Sequence, residues 1–296
     1  MQHETEIIEI MEEMLGIGYE VKIHDTKKTN GHTRKGVMII KRENTSLAPI
    51  IYIDNLFEDV NIGNITVADA AEIIIRTYLS DCTAERLNKF DILNMGKDEF
   101  LQNIIPEAIS AELNREMLSG IPHKELLDIA IIYRCMLDIG SENKGSFIVS
   151  NEICKKWDVT FEELEAAAKR NVIFKYPYIV QTLDDMIREF KLTLPCSQEE
   201  KTEMYLITNK LYTYGAAVLD CSDVFDKLAN KVRSNLLIIP SSIHEVLVVP
   251  EGIESDVYML RQMVKMVNST SALSPEEVLS NKVYRYNLDT RKLVIA

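Results

Sequence analysis

The chain has 296 residues, 46% hydrophobic and 27% charged, and carries a net charge of −13. A chain of this length buries roughly 75% of its unfolded surface without a disulfide or metal staple. Its acidity opposes bulk binding to duplex nucleic acid or anionic lipid, both of which want a basic face.

The five cysteines, Cys82, Cys135, Cys154, Cys196 and Cys221, are odd in number and widely spaced, with no C-x-x-C. That is the pattern of reduced thiols in a cytoplasmic protein, not of a disulfide framework or a zinc site. The acidic N-terminal stretch has no basic n-region or cleavage site, so no signal peptide is expected. No run reaches the about 18 apolar residues of a membrane span.

In chain order, Ile7, Ile8, Ile10, Met11, Met14 and Leu15 fall at helical spacing and predict a helix over residues 4–15. Asn30-Gly31 predicts a tight hairpin turn leading into the apolar run Val37 to Ile40. A strand is expected over Ile50 to Asp54. A helix follows, opened by Thr66 with Asp69 as a short capping box and an apolar face of Ala70, Ile73, Ile74 and Tyr78.

The pattern then recurs. An apolar run, Leu126 to Met136, precedes a polar turn between Gly140 and Gly145 and a short strand, Ser146 to Val149. Thr160 and Glu163 cap a helix through Lys169, and a further helix is expected from Tyr178 to Lys191. A third copy reads as Tyr205 to Thr208, a turn at Gly215, a strand Ala216 to Leu219, and a helix from about Asp223 to Val232. The fourth reads as Leu236 to Ile239, a polar knot, Ile243 to Val249, and a helix from Asp256 to Val267. A capped turn at Ser274 to Glu277 and strands near Val283 to Tyr286 and Leu293 to Ile295 complete the chain.

These are four loose strand–turn–strand–helix units without sequence identity between them. Hairpins alternating with helices predict an α+β fold, with antiparallel or mixed sheet covered by helices. The most break-like segment, Thr193 to Thr202, divides the chain into lobes 1–195 and 196–296, which are separate or form one integrated domain.

The polar knot Pro240-Ser241-Ser242-Ile243-His244-Glu245 holds a serine, a histidine and a carboxylate together and invites a hydrolase reading. On a strand, however, Ser242 and His244 share one face while Ser241 and Glu245 share the other. The structural alternative is a tight hairpin with a buried, hydrogen-bonded His244. A metal site at His244 would need a second histidine four residues on, where Val248 stands. The histidines His3, His24, His32, His123 and His244 show no ligand spacing, so no metal is expected. No phosphate-binding glycine motif is present, and no cofactor is expected.

Gly215-Ala216-Ala217 suits close approach of backbone to backbone or to a ligand. Asn209, at the end of an apolar strand, holds a loop or reads a ligand. His123 follows Pro122, with a helix start at Lys124 as its bland alternative. Trp157, the single tryptophan, is expected to anchor the core. The candidate pocket is therefore Asn209, Ser242, His244 and His123. A basic hairpin at 22–42, with Lys27, Lys28, Arg34 and Lys35, is the best candidate for nucleic-acid contact, read mainly as a solvated rim.

The blocks NGHTRKG (30–36), APIIYIDNLFEDVNIG (48–63), IPHKELLDIAIIYR (121–134), ELEAAAKRN (163–171), ITNKLYTYGAAVL (207–219), IIPSSIHEVLVVP (238–250) and LSNKVYRYN (279–287) cover nearly the whole chain in order. They resemble a bacterial family of unknown function from Gram-positive anaerobes. More distantly, the third and fourth units are similar to the YtpQ-like proteins, a second group of unknown function that lacks the Ser241-Ser242 pair. The resemblance implies a shared fold unit and a bacterial cytosolic setting. It brings no activity and no catalytic residues.

With no paired acid–base motif, phosphate loop or metal spacing, the leading expectation is a non-enzymatic accessory factor that binds a protein or small-molecule partner. A hydrolase or transferase built around His244 is the alternative. A nucleic-acid accessory factor using the basic hairpin comes third, against the acidic total.

Overall fold

A computed structural model describes residues 2–42, 50–81, 95–138, 144–182, 185, 204–252, 256–270 and 273–296. The segment 193–202, where the lobes were expected to join, lies outside these residues, as do Gly140, Cys82 and Cys196. The chain forms two compact units, residues 1–96 with 136–146 and residues 97–135 with 147–296. The fold is α+β, and its three sheets are antiparallel.

The first unit contains α1 (Gln2–Leu15), β1 (Tyr19–Lys27), β2 (Thr33–Lys41), β3 (Ile50–Tyr52), α2 (Asp54–Asn61) and α3 (Val67–Asp81). Its sheet runs in the order β1-β2-β3. Asn30 and Gly31 both take left-handed φ, 60° and 69°, and His32 N–H donates to the Thr29 carbonyl at 3.2 Å. The loop between the strands is the 3-residue turn Thr29–Gly31, in which Asn and Gly take the left-handed conformation at low cost. The turn sets the register that places Ile39 opposite Val21 and Val37 opposite Ile23. Ile7 and Met11 of α1 and Ala70, Ala71, Ile74, Ile75 and Tyr78 of α3 close this core. The Thr66–Asp69 capping box forms in both directions, at 3.0 and 3.1 Å. Ile73, expected on the apolar face of α3, points outward instead, and Ala71 and Ile75 take its place. The expected strand at Asp54 is already the first turn of α2.

The second unit begins with α4 (Lys97–Gln102), β4 (Ile104–Ser110), α5 (Arg115–Leu118), β5 (Lys124–Leu126), β6 (Ile129–Asp138, of this unit as far as Cys135) and β7 (Lys144–Ile148, of this unit from Phe147). It continues with α6 (Asn151–Lys156), α7 (Phe161–Phe174), β8 (Tyr178–Thr182), β9 (Tyr205–Asn209), a 3-10 helix (Gly215–Asp220) and α8 (Ser222–Val232). Then come β10 (Leu236–Pro240), β11 (Val246–Pro250), α9 (Val257–Asn268), a 3-10 turn (Pro275–Glu277), β12 (Tyr284–Asn287) and β13 (Lys292–Ile295). One sheet is six-stranded, in the order β13-β12-β10-β11-β9-β8. The other is four-stranded, β4-β6-β5 with β7 on β6.

Alternation decides which side chains meet. Ala108, Ile129 and Ile131 of the smaller sheet share a core with Tyr205, Ile207, Ile238, Val246 and Val248 of the larger one and with Phe225 and Leu228 of α8. The opposite face of β10, through Leu237, takes Val264 of α9. Helix α7, started by a complete Thr160–Glu163 capping box, lies against β4. There Asn171 Nδ2 donates to the carbonyls of Leu101 and Ile104, both at 2.8 Å. Trp157 is half-buried and stacks on Phe100, with ring centroids 4.4 Å apart.

Several expectations are corrected here. Residues 178–182 are a strand, not the start of a helix. Pro177 precedes them, and the aromatic and β-branched side chains of Tyr178, Ile179 and Val180 pair with β9. Residues 216–219 are 3-10 helix, not strand, because the small side chains of Ala216 and Ala217 are buried on all sides. Lys124 begins a strand rather than a helix. The strand expected from Ile243 starts only at Val246, so Ser242 and His244 lie in a turn and strand alternation does not govern them. Strand β4 was unmarked in the sequence because Pro106 and Glu107 interrupt its apolar run.

Candidate functional site

The polar knot is a turn between β10 and β11, closed by Ser242 N–H donating to the Glu245 carbonyl at 3.3 Å. Ser242 Oγ donates to Glu245 Oε1 at 2.7 Å and accepts from the backbone N–H of His244 at 2.9 Å. The hydroxyl therefore serves the turn, not the imidazole. Tyr214 N–H donates to His244 Nδ1 at 3.2 Å, which makes Nδ1 an acceptor and places the ring proton on Nε2. Thr213 Oγ1 lies 3.2 Å from the same nitrogen, and Nε2–H faces Glu277 Oε1 at 3.3 Å. Both ring nitrogens are engaged.

Asn209 is equally occupied. Its Nδ2 donates to the Thr213 carbonyl and its Oδ1 accepts from Leu211 N–H, each at 2.8 Å. Asn209 and His244 thus grip the same loop residue, Thr213, and Ser242 holds the backbone of His244. His123 stands apart: its Nδ1 lies 3.0 Å from the Ile121 carbonyl of its own loop. Gly215 explains the glycine at this position. A Cβ there would fall 2.5 Å from the His244 carbonyl oxygen and 2.7 Å from Thr208 Cα, and closer still to Thr208 Oγ1. Tyr214, left-handed at φ 57°, turns its ring toward His244 at 5.8 Å and under the Arg134 guanidinium at 4.7 Å. Arg134 in turn pairs with the fully buried Glu107, whose Oε1 has no hydrogen-bond partner among the described residues.

A cavity of about 240 Å³ opens elsewhere in the second unit, between β4, β6, α7, β8 and the start of α8. Its apolar lining includes Pro106, Ile131, Ala168, Val172 and Ala217, and its polar groups are Tyr133, Tyr178, Glu165, Lys169, Asp220, Cys221, Ser222 and Asp223. None of these polar groups was a candidate site residue in the sequence, where Glu165 read as part of a solvated helix face. Tyr133 is only 1% exposed. Its ring meets Phe161 edge-on at 6.0 Å. No described residue hydrogen-bonds its hydroxyl, which opens on the cavity rather than being fully enclosed. Lys124, immediately after His123, reaches into this wall and bridges Asp220 at 2.7 Å and Glu165 at 3.4 Å; Lys169 also holds Glu165, at 2.9 Å.

The protonation states follow from these neighbours. Burial, then the charges of Glu165 and Asp220, push the Tyr133 phenol well above its ordinary value. Burial does the same for Tyr178, aided by Asp220. Burial raises the Cys221 thiol too, and Asp223 and Asp220 add to it against the α8 amides. For Lys124, burial lowers the value but is outweighed by the bond to Asp220 and by the charges of Asp220 and Glu165, so the ammonium is favoured. The Glu165 carboxyl is held below its usual range, chiefly by Lys169.

On the basic hairpin of the first unit, Arg34 Nε lies 3.1 Å from Asp54 and Lys35 Nζ 2.5 Å from Glu4. Lys28 sits 4.2 Å over the Tyr52 ring, and Lys27 is exposed. Among the described residues there is no group of three or more His, Cys, Asp or Glu side chains placed to hold a metal ion. No described helix is long and apolar enough to cross a membrane.

An α+β chain with three antiparallel sheets and a lined cavity defines a structural class but no activity. Comparison with family models is more specific: residues 2–288 match DUF5688, a family of unknown function, and the chain belongs to that family. Comparison with curated proteins and with solved structures finds no match in either.

Proposed function

We propose that this protein is a non-enzymatic binding factor of the bacterial cytoplasm whose ligand is a small molecule held in the cavity beside Tyr133. The observation that carries this reading is a preformed apolar cavity into whose wall the Tyr133 side chain is built, with its hydroxyl bonded to no described residue and open to the cavity. A hydroxyl that opens on a cavity is available to pair with what enters it. At about 240 Å³ the space suits a ligand of fragment size.

The protonation states favour binding over turnover. Cys221 is held as a thiol, the tyrosines as phenols and Lys124 as an ammonium, so each is away from the form that attacks or accepts a proton. The hydrolase alternative at His244 has weaker support, since Ser242 Oγ is bonded to Glu245 and both imidazole nitrogens are engaged. Nucleic-acid binding through the basic hairpin has weaker support again, with Arg34 and Lys35 bonded to Asp54 and Glu4.

The test is a fragment screen read on the methyl NMR signals of Ala168 and Ala217, both in the cavity lining. Fragments that shift these methyls, and lose the effect in Ile173→Trp at the exposed rim, support the reading. A screen whose hits leave both methyls unmoved contradicts it.

A further inference from the structure

We infer that the cavity beside Tyr133 takes a small organic cation, an amine carried on an apolar or aromatic body. This rests on the cavity being the ligand site. Its lining sets the body of the ligand: Ile131, Ala168, Val172 and Ala217 offer no hydrogen bond. Its charges set the head. Three carboxylates, Glu165, Asp220 and Asp223, line the space against one lining lysine, Lys169. Lys124 and Lys169 both donate to Glu165, and Lys124 also to Asp220. Asp223, exposed at the mouth, has no ion pair among the described residues.

The wall therefore already holds one ammonium, that of Lys124, between two carboxylates, and has a further carboxylate open at its rim. Two tyrosines complete the setting. Their hydroxyl oxygens can accept from an ammonium, and an aromatic face attracts a cation at close range. The direction in which the Tyr133 phenol is shifted agrees, because burial and, after it, the charges of Glu165 and Asp220 all raise it.

The features that would favour an anion are the lysines Lys169 and Lys124, both already bonded to carboxylates of the wall, and the N-terminus of α8. The helix terminus is already answered. Val224 N–H donates to the Cys221 carbonyl at 3.2 Å, and Asp223 puts a negative charge in the first turn. The net charge of −13 further raises the local concentration of cations over anions.

Benzylamine, benzyl alcohol and benzoate share one body and differ in the head, so they isolate the charge. Each is titrated into the full chain at low salt, with the Ala168 and Ala217 methyls as reporters. Benzylamine is expected to bind about tenfold tighter than benzyl alcohol, and benzoate weakest, as head-group charge complementarity dictates. Asp223→Asn changes an exposed side chain, so folding is not at risk. It should weaken benzylamine roughly threefold, with benzyl alcohol unaffected. If benzyl alcohol or benzoate shifts the methyls at equal or lower concentration than benzylamine, the cation assignment is overturned while the cavity remains the ligand site. If no probe moves either methyl, both the assignment and the ligand site are overturned.

Discussion

The turn at His244 and the cavity at Tyr133 belong to the same compact unit but treat their polar groups in opposite ways. At the turn, Asn209, Ser242 and His244 bond to backbone or to one another's loops, and the imidazole has no free nitrogen. At the cavity, the Tyr133 hydroxyl is bonded to no described residue, and a thiol, two lysines and three carboxylates line or reach the same space. A closed polar network fixes a backbone shape. An open one leaves bonding capacity for a ligand. The segment with the most distinctive sequence is thus the one with the most structural work for its side chains, and the proposed ligand site falls elsewhere.

Substitutions separate the two regions by the size of their effects. The largest is expected at Arg134→Ala, which strands the buried Glu107 carboxylate and leaves the Tyr214 ring uncovered. Breaking one side of a buried ion pair costs about 3–5 kcal/mol, and urea unfolding should read a loss of that order. Gly215→Ala follows. Its methyl has no room against His244 O and Thr208, and over-packing costs roughly 1–3 kcal/mol. Asn209→Ala leaves the Thr213 carbonyl and Leu211 N–H unpaired, for about 1–3 kcal/mol, with the cavity methyls unmoved. A loss confined to ligand affinity at any of these positions would merge the two regions into one site.

The alkaline limb of stability reports on the buried acids. Burial holds Cys135 up to about 12 and raises Tyr133, Tyr178 and Tyr284. A raised folded-state value means the unfolded chain ionises first. The stabilisation these groups contribute is complete below their unfolded values, about 8.5 for a thiol and 10 for a phenol, and is lost as pH climbs toward the folded ones. Stability measured by urea midpoint should fall steadily above that range, and less so in Cys135→Ala once its lower starting stability is subtracted. A flat profile to pH 11 would contradict the assigned burial. Smallest of all is Tyr133→Phe. It deletes a hydroxyl that bonds to nothing described, so stability should change by no more than about 0.5 kcal/mol.

The elements with local signals were legible before the structure. The Thr66–Asp69 and Thr160–Glu163 boxes and the Asn30-Gly31 turn act within a few residues, and each forms as read. Elements decided by long-range pairing were not. Tyr178 to Thr182 become strand because β9 lies alongside them, and Ala216 to Leu219 become 3-10 helix because the chain is squeezed against β4 and β9. The close approach implied by Gly215-Ala216-Ala217 was readable, since small residues carry that meaning wherever they fall. The cavity was not. Tyr133, Glu165, Tyr178 and Asp220 lie far apart in sequence, each looks ordinary in its own segment, and only the tertiary fold brings them to one space.

The division between a structural turn and a ligand-binding cavity is tested most directly by measuring two quantities on two variants: benzylamine affinity and urea midpoint for Tyr133→Phe and His244→Ala. The account predicts a crossed result. Tyr133→Phe should weaken benzylamine severalfold at unchanged midpoint. His244→Ala should lower stability by about 1–3 kcal/mol at unchanged affinity. The reverse pattern, with ligand affinity following His244 and stability following Tyr133, would contradict it.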